Sequence, residues 1–196
     1  IIPFLTSGFP NVELTKDIIL KLVDEKLCSA IEIGIPFSDP IAEGKTIQRS
    51  SSVALKNGVT IDSTLKTISE INEYNKDTPI ISMGYYNPII KIGLDNFFSG
   101  CKQSGVNGVI IADIPNTELE IIQNTANKYQ IETIPLVPLN ASNTTVEHAC
   151  KIGQGFIYCV SVLGVTGTRE KLSKDLSKKV NQVNNFSEIP VAVGFG

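Results

Sequence analysis

The chain has 196 residues, of which 42% are hydrophobic and 19% charged, with a net charge of −3. That length supports one sizeable core and a single domain over 1–196. The faint acidic balance gives no basic field to draw nucleic acid or an anionic membrane, and the longest apolar runs, such as Val109 to Ala112, are far too short to span a bilayer.

Ile1 to Thr6 reads as a first strand with no basic leader region, so the chain is expected to start in the interior of a protein rather than at a signal peptide. Leu14, Ile18, Leu22 and Val23 follow at helical spacing. Ala30 to Ile35 is a short apolar run stopped by Gly34 and Pro36, which predicts a buried strand. A helix is expected over about Thr46 to Lys56, ending at Asn57-Gly58. Asp62 is the expected cap of the next, which carries Leu65, Ile68 and Ile71.

Pro79 to Gly84 is predicted as the third strand, followed by a loop Tyr85-Tyr86-Asn87-Pro88. Leu94, Phe97, Phe98 and Cys101 mark a helix that stops at Gly105, and Gly108 to Ala112 a fourth strand ending in Asp113. A helix through Leu119, Ile122 and Ala126 precedes a fifth strand, Glu132 to Val137. A short helix over about Thr144 to Lys151 leads to a sixth, Gly155 to Val160. The loop Gly164-Val165-Thr166-Gly167-Thr168, a helix through Leu172, Leu176, Val180 and Val183, and a seventh strand, Pro190 to Val193, complete the chain before Gly194-Phe195-Gly196.

Seven strands alternating with helices predict a parallel sheet covered by helices. A doubly wound open sheet and a (β/α)8 barrel both fit that pattern. No G-x-G-x-x-G follows the first strand, which counts against a dinucleotide fold. Functional-looking residues instead follow several strands, as barrels arrange them at their C-terminal face. The reading is a (β/α)8 TIM barrel with seven of eight strands present, the last βα unit being expected beyond residue 196. Residues 1–196 alone are then expected to leave two unpaired sheet edges and to behave as part of a chain of about 250 residues.

The chemistry centres on Glu32, the one charge in an apolar strand. Either the strand is partly exposed and Glu32 meets water, or Glu32 is a general acid or base with a raised pKa. Glu43 lies eleven residues on, in the following loop or at the next helix start. Cys28, Cys101, Cys150 and Cys159 form no C-x-x-C pair, and His148 is the only histidine. No metal site is expected, and Cys101, Cys150 and Cys159 read as small buried hydrophobes in a reducing compartment such as the cytoplasm. Gly167, Gly194 and Gly196 follow late strands, where barrels often cradle phosphate on backbone N–H groups; ordinary tight turns are the other reading.

The run Ile31-Glu32-Ile33-Gly34-Ile35-Pro36-Phe37-Ser38-Asp39-Pro40-Ile41-Ala42-Glu43-Gly44 resembles the signature of the tryptophan synthase alpha chain family. Pro3-Phe4 with Gly8 and Pro10, Tyr85-Tyr86-Asn87-Pro88, Ala112-Asp113-Ile114-Pro115, Tyr158 with Gly164-Val165-Thr166-Gly167, and Gly194-Phe195-Gly196 support the resemblance in order along nearly the whole chain.

The resemblance implies a lyase of tryptophan biosynthesis that cleaves indole-3-glycerol phosphate to indole and glyceraldehyde 3-phosphate. It implies no cofactor in this chain and a partner beta chain that holds pyridoxal phosphate, in an alpha2-beta2 heterotetramer. Glu32 matches the family's proton-transfer residue, and Glu43 stands where the family usually has Asp. Lys45 replaces a usual Pro. Phe4, Met83, Ile110, Ala112 and Tyr158 match positions lining the indole pocket, with barrel core as the other reading for each. Gly167 and Gly196 match phosphate-binding backbone, and Pro36, Asp39 and the Asn87 region match surfaces facing the beta chain. A non-catalytic paralogue that activates a partner, and another phosphosugar barrel enzyme, are the alternatives.

Overall fold

The computed structural model describes residues 1–161 and 169–195, and gives the backbone alone for 169–174 and 195. In chain order the elements are β1 (Phe4–Thr6), α1 (Val12–Asp24), β2 (Ile31–Gly34), α2 (Lys45–Lys56), α3 (Ile61–Tyr74), β3 (Ile80–Gly84), α4 (Tyr86–Ile92) and α5 (Leu94–Ser104). After these come β4 (Gly108–Ile111), α6 (Asn116–Lys128), β5 (Glu132–Thr133), β6 (Leu136–Pro138), α7 (Asn143–Ile152), β7 (Ile157–Ser161), α8 (Arg169–Asn184) and β8 (Val191–Phe195). Every pairing is parallel: β1-β2-β3-β4-β5 form one sheet and β6-β7-β8 another.

The fifth strand differs from its prediction. It breaks into β5 and β6 at Ile134-Pro135, because Pro135 has no N–H to give a ladder. The Ile134 amide still donates to the Val109 carbonyl, and the Pro135 carbonyl accepts from the Tyr158 amide, at 3.0 and 3.1 Å. One residue thus faces β4 and the next faces β7. The two sheets are one curved wall of seven strand positions, kinked at Pro135. Among the described residues β1 and β8 share no ladder.

Side chains alternate across this wall as the pleat requires. Ile31, Ile33, Ile80, Val109 and Ile111 face outward and pack with Ile19, Ile68, Phe97, Phe98 and Ile122 of the covering helices. Val137, Ile157 and Cys159 do the same against Val146, Ala149 and Val183. Inward, Ala30, Ile81, Ile110 and Ile134 form a compact apolar plug.

Two further details depart from the sequence reading. Helix α3 is capped by Thr60, not Asp62: the Thr60 hydroxyl accepts from the Ser63 amide and the Ser63 hydroxyl accepts from the Thr60 amide. Tyr86 to Ile92 is a helix, not a loop; what caps it bears on the site. The stop at Gly105 is as expected, with φ of 84° in the left-handed region. Lys45 opens α2 behind an extended Gly44 that offers no side-chain cap.

Candidate active site

At the C-terminal ends of the strands the wall encloses a cavity of about 790 Å³, the size of a small-ligand site. Phe4 of β1, Glu32 of β2, Met83 of β3, Ala112 after β4, Tyr158 of β7 and Gly194 of β8 all line it, and Glu43 closes it from the loop after β2. A wider hollow of about 920 Å³ lies at the opposite end, between Ile2, Ala30, Ile81, Glu132, Phe156 and Ala192. Among the described residues its lining holds a single carboxylate, Glu132, and barrels conduct chemistry at the other face.

Strand stagger explains which residues reach the cavity. Phe4, Glu32, Ile81, Gly108 and Glu132 are one another's register partners. The cavity lining is Phe4 and Glu32 on that line, Met83 two residues above it and Ala112 four above it. Tilted barrel strands climb in this way, so equal register is not equal depth. Ile110 pairs with Met83 yet sits a layer lower, fully buried in the plug with Ile81 and Ile134. Ile110, expected in the pocket wall, is thus buried in the plug and is not among the residues that border this cavity.

Glu32 is only 3% exposed. Ile31 and Ile33 on either side occupy the outer apolar layer, which turns Glu32 inward. Among the described residues no side chain hydrogen-bonds or ion-pairs with its carboxylate. Burial, followed by repulsion from Glu43, pushes its pKa up from 4.5 to about 7. Burial also raises the Glu43 carboxyl. The Tyr158 hydroxyl is pushed well above the phenol range by burial and then by the charges of Glu32 and Glu43. Two carboxyl groups and one phenol thus share a single electrostatic site.

The aromatic walls are held by glycines. A Cβ on Gly34 would stand 2.5 Å from the Phe4 ring. A Cβ on Gly194 would overlap the Tyr158 ring and hydroxyl. Gly194 lies inside β8 rather than after it, so its missing side chain makes room for Tyr158. Gly167 and Gly196 lie outside the described residues.

Sequence reasoning missed part of the lining. Thr46 and Ile47 of α2, Asn116 of α6, Leu136 and Pro138 of β6, and Thr145 of α7 also border the cavity. Their signal was positional only: Thr46, Ile47, Asn116 and Thr145 lie in the first turn of a helix, and Leu136 and Pro138 within β6. His148, read as structural, meets Glu120 at 3.0 Å between α7 and α6, away from the cavity lining. Among the described residues no group of three or more His, Cys, Asp or Glu could hold a metal, and no helix is long and apolar enough to cross a membrane.

The family model for the tryptophan synthase alpha chain matches residues 1–196. This chain belongs to the tryptophan synthase alpha chain family. It is 42% identical over 196 residues to the tryptophan synthase alpha chain of Petrotoga mobilis, spanning all of this chain and 75% of that one. Identity to the alpha chain of Clostridium acetobutylicum is 41% over 198 residues, with 73% of that chain covered. Among solved structures, a chain of the tryptophan synthase a2b2 complex of Pyrococcus furiosus superimposes with a TM-score of 0.91 at 37% identity, covering 100% of this chain and 78% of that one. Tryptophan synthase subunit alpha of Legionella pneumophila gives 0.89 at 31% identity, covering 99% and 71%. The architecture is the TIM barrel of this family, and the family places the chain in tryptophan synthesis.

Proposed function

We propose that this alpha chain cleaves indole-3-glycerol phosphate by a retro-aldol reaction, releasing indole and glyceraldehyde 3-phosphate. The observation that carries the proposal is the buried Glu32 carboxyl, poised near pH 7 beside Glu43 in one cavity. A carboxyl group raised that far toward neutral pH can both give and take a proton there.

The cleavage needs a proton delivered to the indole carbon that bears the glycerol chain. Protonation there makes the ring an electron acceptor. The side-chain hydroxyl next to that carbon then loses its proton and becomes an aldehyde. The carbon–carbon bond breaks and its electron pair returns to the ring, restoring indole. One proton is delivered and one is removed, so an acid that serves both steps ends as it began. Glu32 is assigned this proton transfer. Glu43 is assigned to the indole N–H, where a carboxylate offsets the positive charge that develops on nitrogen. Phe4, Met83, Ala112 and Tyr158 supply flat apolar walls for the ring, and backbone at Gly167 and Gly196 is assigned to the phosphate.

The a2b2 assembly of the Pyrococcus furiosus relative supports a beta chain as partner. Pyridoxal phosphate would then sit on that beta chain, and no residue of this chain is assigned to it. The test is indole release from indole-3-glycerol phosphate by the natural full-length chain, alone and with a cognate beta chain. Release that rises with the beta chain is expected. No release under either condition would overturn the reading.

A further inference from the structure

Helix α4 starts without a cap of its own. Its N-cap residue, Tyr85, makes no side-chain capping bond, and its first turn holds no acidic residue. The cap comes from 27 residues away: the Asp113 carboxylate, after β4, accepts from the Tyr86 amide at 2.8 Å. A carboxylate at a helix N-terminus satisfies an otherwise orphaned donor and suits the helix dipole. Asp113 therefore fixes where the chain turns out of β3, and with it the place of Tyr85.

Tyr85 in turn reaches the loop that carries Glu43. Its side chain is 5% exposed. Its ring stacks on Phe37 with centroids 5.1 Å apart and planes at 29°. Its hydroxyl oxygen accepts from the amide of Ala42, the residue just before Glu43, at 3.3 Å. Two more bonds finish the clamp. The Glu43 amide donates to the Pro40 carbonyl at 3.0 Å, and the Glu43 carbonyl accepts from Gln48 Nε2 of α2 at 2.9 Å. On either side of Glu43 the loop is exposed at Ile41 (81%), Ala42 and Gly44, although Pro36 and Pro40 are buried, so the residues next to Glu43 have little packing to hold them. Its position at Glu43 depends on these few polar contacts.

We propose that Asp113 and Tyr85 are positioning residues for Glu43: Asp113 sets Tyr85 by capping α4, and the Tyr85 hydroxyl sets the peptide that aims the Glu43 carboxylate into the cavity. The proposal rests on the cleavage reaction assigned above. It gives Asp113 and Tyr85 a role in turnover without contact to substrate. Glu43 follows Ala42 directly, and a displacement of about an ångström at a reacting group is enough to cost up to 10²-fold in rate.

The experiment is steady-state cleavage of indole-3-glycerol phosphate by the natural full-length chain with its beta chain. Tyr85→Phe keeps the ring and the Phe37 stack and removes only the hydroxyl. It is expected to lower kcat roughly tenfold with KM changed little, since geometry at the reacting centre is what fails. Asp113→Ala is expected to act likewise, while Asp113→Asn, which keeps an acceptor oxygen for the Tyr86 amide, retains most of the rate. The deciding measurement is the double-mutant cycle with Glu43→Ala. Tyr85→Phe is expected to cost nothing further when Glu43 is gone. An equal loss with and without Glu43 would make Tyr85 a merely structural residue and overturn the proposal. So would a Tyr85→Phe variant with unchanged kcat. The wild-type and Glu32→Gln rates in the same assay report separately on the reaction, so its failure and that of the positioning role are distinguishable.

Discussion

Replacing Glu32 by Gln separates stability from catalysis in one residue. Glu32 is buried with no partner for its carboxylate among the described residues, and its pKa rises from 4.5 to about 7. The folded chain thus keeps a proton that the unfolded chain releases between those values. Stability falls as pH rises through that window, and the penalty is complete above it. A tenfold change in proton affinity is worth about 1.4 kcal/mol, so ionised Glu32 costs the fold roughly 3 kcal/mol at pH 8 and almost nothing at pH 4. Gln has nearly the same shape and does not titrate. Burying its amide carries a cost of its own, but that cost is the same at every pH. The expected result is a melting temperature for Glu32→Gln that gains on wild type by roughly 6–12 °C between pH 4 and pH 8, taking 2–4 °C per kcal/mol for a chain of this size. The same variant is expected to lose roughly 10²–10⁴-fold in indole release while still binding substrate, the usual worth of a general acid–base group. Thermal unfolding at pH 4, 6 and 8 beside the indole assay checks both. A stability difference that stays constant across pH would refute the raised pKa, and a variant keeping over a tenth of wild-type activity would refute the proton-transfer role (the lower edge of that range being roughly 10²-fold).

The other expectations are narrower. Glu43→Asp should keep or raise kcat and Glu43→Ala should lower it roughly 10–100-fold; unchanged turnover in the Ala variant would leave Glu43 a wall residue with no part in the reaction. Gly194→Ala should cost roughly 1–3 kcal/mol in unfolding experiments because the Tyr158 ring occupies the space, and adding Tyr158→Ala should return part of it; no return would mean the clash lies elsewhere. Ile110→Val should cost roughly 0.5–1.5 kcal/mol of stability, with KM unmoved, since Ile110 is plug and not pocket; a shifted KM would reverse that assignment. Lys45→Pro should stabilise by roughly 0.4–1 kcal/mol: Lys45 is the first residue of α2, and Gly44 before it already has φ −73° and ψ 169°, which a following proline requires. A lower melting temperature would show that the Lys45 amide or side chain has a partner in solution.

The seven-strand βα order and the place of Glu32 were legible because each has a local signal. Apolar runs bounded by Gly and Pro mark strands, and one carboxylate among isoleucines has few explanations. The break at Pro135 and the Thr60–Ser63 cap were also written in the sequence, as a proline inside a strand run and a Thr three residues before a Ser. Helix α4 was not legible, because its cap is Asp113, remote in sequence and near only after the barrel forms. The depth of Ile110 was not legible either: it pairs with Met83, and the stagger of tilted strands leaves it below the cavity lining. Local chemistry can be read from spacing; depth along a barrel axis depends on a register that accumulates strand by strand.

The same alternation that builds the core also explains why a costly group such as Glu32 is placed so definitely. On β2 the outward positions are Ile31 and Ile33, both fully buried against the helix layer. A slip of one residue would drive the Glu32 carboxylate into that apolar layer and turn both isoleucines inward. Burying an ionised carboxylate without partners there would be far worse than leaving it at the rim of a cavity. The isoleucines therefore hold the strand in register, and the register holds Glu32 toward the cavity. On β3 the outward Ile80 and the cavity-lining Met83 divide in the same way, as do Ile111 and Ala112 on β4 and just beyond it. The geometry of the cavity wall at the strands is thus supported by hydrophobic packing. Glu43, which stands on a loop between exposed Ala42 and Gly44, depends more on hydrogen bonds that reach in from Tyr85 and Gln48.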